Sequence, residues 1–266
     1  ARIVAQTINE QMQASDKVFI MGHANEDYDA IGSAIGMAKL SLSLNKETYI
    51  VVSGRNENVN RISEMLASES MKVTGHEEDY NSIMVEEEEA LKHITPDSLL
   101  VLVDHHREIL TASKAVLEAI SKRIIVDHHR RAEDLIGDTV LLYLEPSSSS
   151  TSELLTELVG YFNDRLEITP AEATALYSGI VLDTKNFAVQ TGERTFEAAA
   201  LLRRSGADPN MVRLMFKDDM DVLKLRARLI AEAKTIEPGI AIALYKRAEK
   251  GAKATILAAQ VADTLI

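Results

Sequence analysis

Short apolar runs alternate with longer amphipathic stretches along most of the chain. Lys17–Met21 and residues 48–52, 98–103, 123–126 and 139–144 are short, rich in Val, Ile and Leu, and bounded by polar residues, so each predicts a buried strand. Between them lie stretches with helical spacing at 2–14, 30–44, 58–66, 109–121 and 151–163. Asp29 is placed to cap the second of these, and Gly32 and Gly36 inside it predict close packing against a sheet. Residues 69–93 are polar and include the run Glu86 to Glu89, read as a solvated helix or loop. Continuous apolar strands alternating with helices predict an α/β fold, a parallel sheet with helices on both faces.

Helical patterns dominate from 170 to 204, interrupted near 183–192, and return at 210–234 after the breaker Gly206-Ala-Asp-Pro209. Beyond Glu237-Pro-Gly239 a strand-like segment at 240–248 and an alanine-rich helix at 252–264 begin a smaller α/β unit that reads as incomplete. The expected organisation is a catalytic domain at 1–205, a helical linker at 206–235 and a partial C-terminal domain at 236–266. The chain opens without a methionine, so a chain processed or excised from something longer is expected.

Composition narrows the classes. The 266 residues are 46% hydrophobic and 5% aromatic, enough for a large aliphatic core. There is no cysteine, which fits a reducing compartment, and neither a signal-peptide pattern nor an apolar run of membrane-spanning length, so a cytoplasmic location is expected. A net charge of −12 argues against a protein that grips long nucleic acid. It does not exclude a small phosphate ester, because divalent cations can supply positive charge locally.

The candidate chemistry lies where strands end. His23, Asp27 and Asp29 follow the first strand, Asp104 follows residues 98–103, Asp127, His128 and His129 follow 123–126, and Asp183 follows the apolar stretch 179–182. Each Asp alone is accounted for as a helix cap, and each His as an ordinary satisfied ring. Four segments delivering acids and imidazoles to one edge of a parallel sheet instead point to a shared crevice. Clustered carboxylates repel one another unless cations intervene, and a mixed carboxylate–imidazole set suits Mn²⁺, Fe²⁺ or Zn²⁺. No serine nucleophile elbow or GxxxxGK[ST] phosphate loop is present, so metal-activated water is the economical reading. His76, His93 and His106 have no evident partner and are read as structural or exposed.

Residues 21–34, MGHANEDYDAIGSA, resemble the His-x-x-x-Asp-x-Asp motif of the DHH phosphoesterases, and VDHHRR at 126–131 resembles the motif that names the family. Asp104 after LVLV and GIVLDTKNF around Asp183 fall where the family's other aspartates belong. IIVDHHRR, YLEPSSSSTSELLTEL and TGERTFEAAALLR are most similar to the GdpP-type cyclic-di-AMP phosphodiesterases. The resemblance implies two Mn²⁺ per site: His23 and Asp27 at one, Asp29, His128 and Asp183 at the other, Asp104 bridging them. His129 would contact the scissile phosphate, with Arg194 and Thr195 as further substrate contacts. The implied reaction is hydrolysis of cyclic-di-AMP to 5′-pApA by a two-metal-activated hydroxide, with Asp104, His128 and His129 as catalytic residues. Homodimers and membrane tethering are common in the family. Hydrolysis of short oligonucleotides, adenosine bisphosphate or pyrophosphate, or metal and nucleotide binding without turnover, are the alternatives.

Three departures from the family pattern stand out. Asp104-His105-His106-Arg107 duplicates Asp127-His128-His129-Arg130, and the first motif reads Ala24-Asn25-Glu26 where a basic residue and a proline are usual. The glycine-rich GGGH-type motif of the DHH-associated domain is missing from the chain.

Overall fold

The computed structural model describes residues 1–67, 79–162, 166–217, 220–245 and 252–265. His76 and residues 246–248 of the strand predicted at 240–248 lie outside them. The chain divides into two compact units, Ala1–Met215 and Phe216–Ile266.

In the first unit the order is α1 (Arg2–Gln13), β1 (Lys17–Met21), α2 (Tyr28–Ser43), β2 (Glu47–Val51), α3 (Glu57–Ala67) and α4 (Tyr80–Ile83). Then come β3 (Met84–Val85), α5 (Glu87–His93), β4 (Leu99–Val103), a 3₁₀ turn (Glu108–Leu110), α6 (Lys114–Ala119), β5 (Lys122–Asp127) and β6 (Leu141–Leu144). Four helices close the unit: α7 (Thr151–Phe162), α8 (Pro170–Asp183), α9 (Glu193–Arg204) and α10 (Pro209–Met215). The strands form one parallel sheet in the order β3-β2-β1-β4-β5-β6.

Both faces of the sheet are covered, as the uninterrupted apolar strands require. Phe19, Met21, Val51, Leu100, Leu102 and Ile125 pack with Ala90 of α5 and Val116 and Leu117 of α6 on one face. Val18, Ile20, Ile50, Val101, Ile124 and Val126 alternate with them, are equally buried, and lie on the side where α2 and α7 meet the strands.

Several expectations change. Asp27, not Asp29, caps α2, its Oδ1 accepting the Asp29 and Ala30 N–H groups at 2.9 and 3.0 Å. Gly32 and Gly36 pack against α8 rather than the sheet: a Cβ at either would run into Ala175 or Leu176. The helix predicted at 109–121 is a 3₁₀ turn followed by the short α6, because Thr111 pairs with His23 in a bridge and Ser113 caps α6. The polar region 69–93 contains the short strand β3, and a buried ion pair that composition did not suggest joins Lys39 of α2 to Glu172 of α8 at 3.1 Å.

In the second unit α11 (Met220–Ala231) is followed by the antiparallel pair β7 (Lys234–Glu237) and β8 (Ile240–Ile242), then α12 (Ala252–Leu265). The helix predicted at 210–234 is thus divided, and β7 was not foreseen. Leu229, Leu257 and Val261 form this unit's small core. Among the described residues no helix is long and apolar enough to cross a membrane.

Candidate metal centre

Strand order reverses between β1 and β4, so the crevice outside their carboxyl ends is the place where a sheet of this kind binds ligands. His23 and Asp27 lie in the loop after β1, Asp29 is the second residue of α2, and Asp104 directly follows β4. β4 and β5 run in register with Val103 opposite Val126, so the Asp127-His128-His129 segment emerges beside Asp104. Asp183 arrives differently, as the last residue of α8 rather than after a strand.

The side chains converge. His23 Nε2 lies 3.7 Å from Asp27 Oδ1 and 3.5 Å from Asp104 Oδ2. His128 Nε2 lies 3.6 Å from Asp104 Oδ1 and 3.2 Å from Asp183 Oδ2. Candidate donor atoms of His23, Asp27 and Asp104 fall within 4.8 Å of one another, and so do those of Asp29, His128 and Asp183. Asp104 stands between the groups with one oxygen turned to each imidazole. A third set of the same compactness joins Asp104, Asp127, His128 and His129.

The backbone aims these groups. The Nδ1–H of His23 donates to the Ala24 carbonyl at 2.9 Å, and that of His128 to the Ser148 carbonyl at 3.4 Å. Each ring thereby turns its Nε2 toward the acids, and Nε2 of His128 is buried without a hydrogen-bond partner. Asp29 receives the Thr151 and Ser152 N–H groups at 2.7 and 2.8 Å, taking up the free amides at the start of α7. Thr151 Oγ1 donates to Asp104 Oδ1 at 3.1 Å. Asp104 holds a left-handed backbone, φ 61°. Among the described residues Lys185, Asn186 and Phe187 are left-handed too, forming the tight turn that follows Asp183.

Electrostatics give the cluster its character. Burial first, and then Asp29, pushes Asp104 well above the usual carboxylate range. The same two causes bring Asp183 up to about 7. Burial opposes the charged form of His128, but Asp183 and the neighbouring acids outweigh it and raise the ring to about 10. His23 likewise rises to about 11 against burial, through Asp104 and Asp27. Without a metal the pocket therefore pulls in protons, and the field that does so favours a divalent cation in their place. The orphaned His128 Nε2 and the mixed oxygen–nitrogen donors fit such an ion.

Other sites fall elsewhere. Arg194 forks onto Glu157, Nε to Oε1 at 2.5 Å and Nη2 to Oε2 at 2.8 Å. Thr195 is buried and donates to Glu153 Oε2 at 2.7 Å, an oxygen that also receives the N–H and hydroxyl of Ser149. Neither side chain is bonded to the six clustered residues. The sequence gives no role to Thr151, whose position directly after the serine run is the available signal. His105 is buried with Nδ1–H on the Val103 carbonyl, and burial lowers its pKa to about 4. His93 stacks on Tyr49 and meets Glu89 at 3.1 Å.

Comparison with known proteins identifies the family and the fold. The family model described as DHH family, N-terminal domain, matches residues 17–180. The cyclic-di-AMP phosphodiesterase GdpP of Geobacillus thermodenitrificans is 41% identical over 266 residues, covering 100% of the chain and 39% of that protein. The cyclic-di-AMP phosphodiesterase PdeA of Listeria monocytogenes is 38% identical over 269 residues, with 100% and 39% covered. The chain therefore spans about two fifths of the length of these relatives. Among solved structures, an exopolyphosphatase-related protein from Bacteroides fragilis superposes with a TM-score of 0.67 at 23% identity, over 88% of this chain and 66% of that one.

Proposed function

The chain belongs to the DHH family of phosphoesterases, and on that premise we propose that it is the catalytic part of a metal-dependent phosphodiesterase that hydrolyses cyclic-di-AMP to 5′-pApA. The observation that carries the reading is the placement of Asp104, with Oδ2 3.5 Å from His23 and Oδ1 3.6 Å from His128. A carboxylate turned both ways between two donor groups suits a pair of divalent cations, and the imidazoles favour Mn²⁺ over Mg²⁺. His23 and Asp27 would hold one ion, Asp29, His128 and Asp183 the other, with Asp104 shared. When bound, such a pair supplies Lewis-acid stabilisation of phosphate charge and eases deprotonation of water.

The chain's own residues do the rest. The carbonyls of Ala24 and Ser148 fix which nitrogen each imidazole presents. The start of α7 orients Asp29, and Thr151 steadies Asp104. His129, half exposed beside Asp104, would contact the scissile phosphate. The substrate assignment draws on the two relatives named for cyclic-di-AMP, and residues 236–266 would belong to the substrate-binding domain.

The test is hydrolysis of cyclic-di-AMP, cyclic-di-GMP, pApA and pyrophosphate with Mn²⁺, using Asp104→Ala as control. Conversion of cyclic-di-AMP to pApA that disappears in the variant is the expected result. Release of phosphate from pyrophosphate alone would overturn the substrate. No turnover of any of the four by a folded, Mn²⁺-loaded chain would overturn the activity.

A further inference from the structure

The triplet Asp-His-His occurs twice, at 104–106 and 127–129, and the function above leaves His106 without a part. His106 is 2% exposed, and the Ala132 backbone N–H donates to its Nε2 at 2.9 Å. An amide N–H only donates, so Nε2 carries a lone pair and the ring proton sits on Nδ1. That Nδ1–H donates to Asp127 Oδ2 at 2.5 Å. The other oxygen, Asp127 Oδ1, accepts the backbone N–H of His129 at 3.1 Å and its Nδ1–H at 2.7 Å. Asp127 is 0% exposed, so its carboxylate cannot rotate without stranding a polar group in the interior.

We propose that His106 is a positioning residue that acts through Asp127 to fix the tautomer and orientation of His129, so that Nε2 of His129 is the atom offered to the phosphate. The first triplet thereby supports the second, and the parallel register of β4 and β5 is what puts them within reach. The functional half of the proposal rests on the reading of His129 as the phosphate contact; the tautomer does not.

The experiment is a long-range ¹H–¹⁵N spectrum of the imidazoles in the metal-free chain, with His129 assigned by its loss in His129→Gln, alongside turnover with Mn²⁺. In the wild type, neutral His129 is expected as the Nδ1–H form. His106→Leu should shift it toward the Nε2–H form that free imidazole side chains prefer and lower kcat about 10–100-fold, the scale for losing an orienting partner. His106→Asn, whose amide N–H can stand in for Nδ1–H, should restore both. An Nε2–H His129 in the wild type or in His106→Asn would overturn the proposal, as would an unchanged tautomer in a folded His106→Leu. If the leucine variant does not fold, the wild-type and asparagine spectra decide. Because the spectra need no turnover, a chain that hydrolyses nothing would sink the functional reading alone.

Discussion

A Cβ placed on Gly179 would lie 2.5 Å from Oδ1 of Asp29. α8 thus passes so close to the acid held at the start of α7 that only glycine fits between them. Gly179→Ala should push Asp29 off the Thr151 and Ser152 amides, destabilise the fold by about 1–3 kcal/mol and weaken the Mn²⁺ binding proposed for Asp29, His128 and Asp183. Calorimetric Mn²⁺ titration checks this, with Gly160→Ala in α7 as control, since nothing lies within 4 Å of a Cβ there. Equal Mn²⁺ binding by both variants would contradict it.

Thr151 offers a separate handle on Asp104. Thr151→Val keeps the shape of the side chain and removes the hydroxyl that donates to Asp104 Oδ1 at 3.1 Å. Mn²⁺ affinity should fall about 10–100-fold with little change in melting temperature. A variant that loses stability but keeps its affinity would assign Thr151 to folding alone.

The Lys39–Glu172 pair belongs to stability, not chemistry. Glu172 also accepts from Tyr80 at 2.7 Å and from the Thr169 backbone N–H at 2.8 Å, so removing the lysine leaves a buried carboxyl held in place without its ion-pair partner. Lys39→Met should cost about 3–5 kcal/mol in urea unfolding, and adding Glu172→Leu should recover part of that. A double variant less stable than the sum of the single effects would show that the pair is not the cause.

The metal-free chain has a predictable pH dependence at Asp183. Its folded pKa rises from 3.8 to about 7, so the folded state holds the proton more tightly than the unfolded chain. The stabilisation is complete below 3.8 and is lost as pH climbs to about 7. In EDTA, Asp183→Asn should therefore gain stability over the wild type across that window and hold the gain above it. Saturating Mn²⁺ should reverse the order, because the wild type then binds the ion more tightly. A difference between the two urea midpoints that does not vary with pH would refute the assignment.

The sheet was largely legible because its central strands are apolar on both faces and need no partner to be seen. β3 was not, since Met84 and Val85 are too few to show a period and become a strand only by pairing with Ile50 and Val51. The helix expected at 109–121 failed at Thr111 and Ser113, where a bridge to His23 and a side-chain cap override local spacing. Six acids and imidazoles could be grouped from the sequence because each closes or follows an apolar run. The pairing of His106 with Asp127 could not, because it depends on the register of two strands that lie about twenty residues apart in the sequence. The partners of Arg194 and Thr195, Glu157 and Glu153, lie a helix away in the sequence and no local pattern names them.

Asp104 combines a left-handed φ of 61° with burial among like charges, so the fold and the chemistry favour different amino acids at that position. Glycine or asparagine would relax the backbone there and remove the repulsion. In a lineage that no longer needed the reaction, drift would be expected to replace this aspartate early, while the glycines packed between helices stayed. The residue at the end of β4 would then serve as a historical marker, separating descendants that kept the reaction from those that kept only the shape.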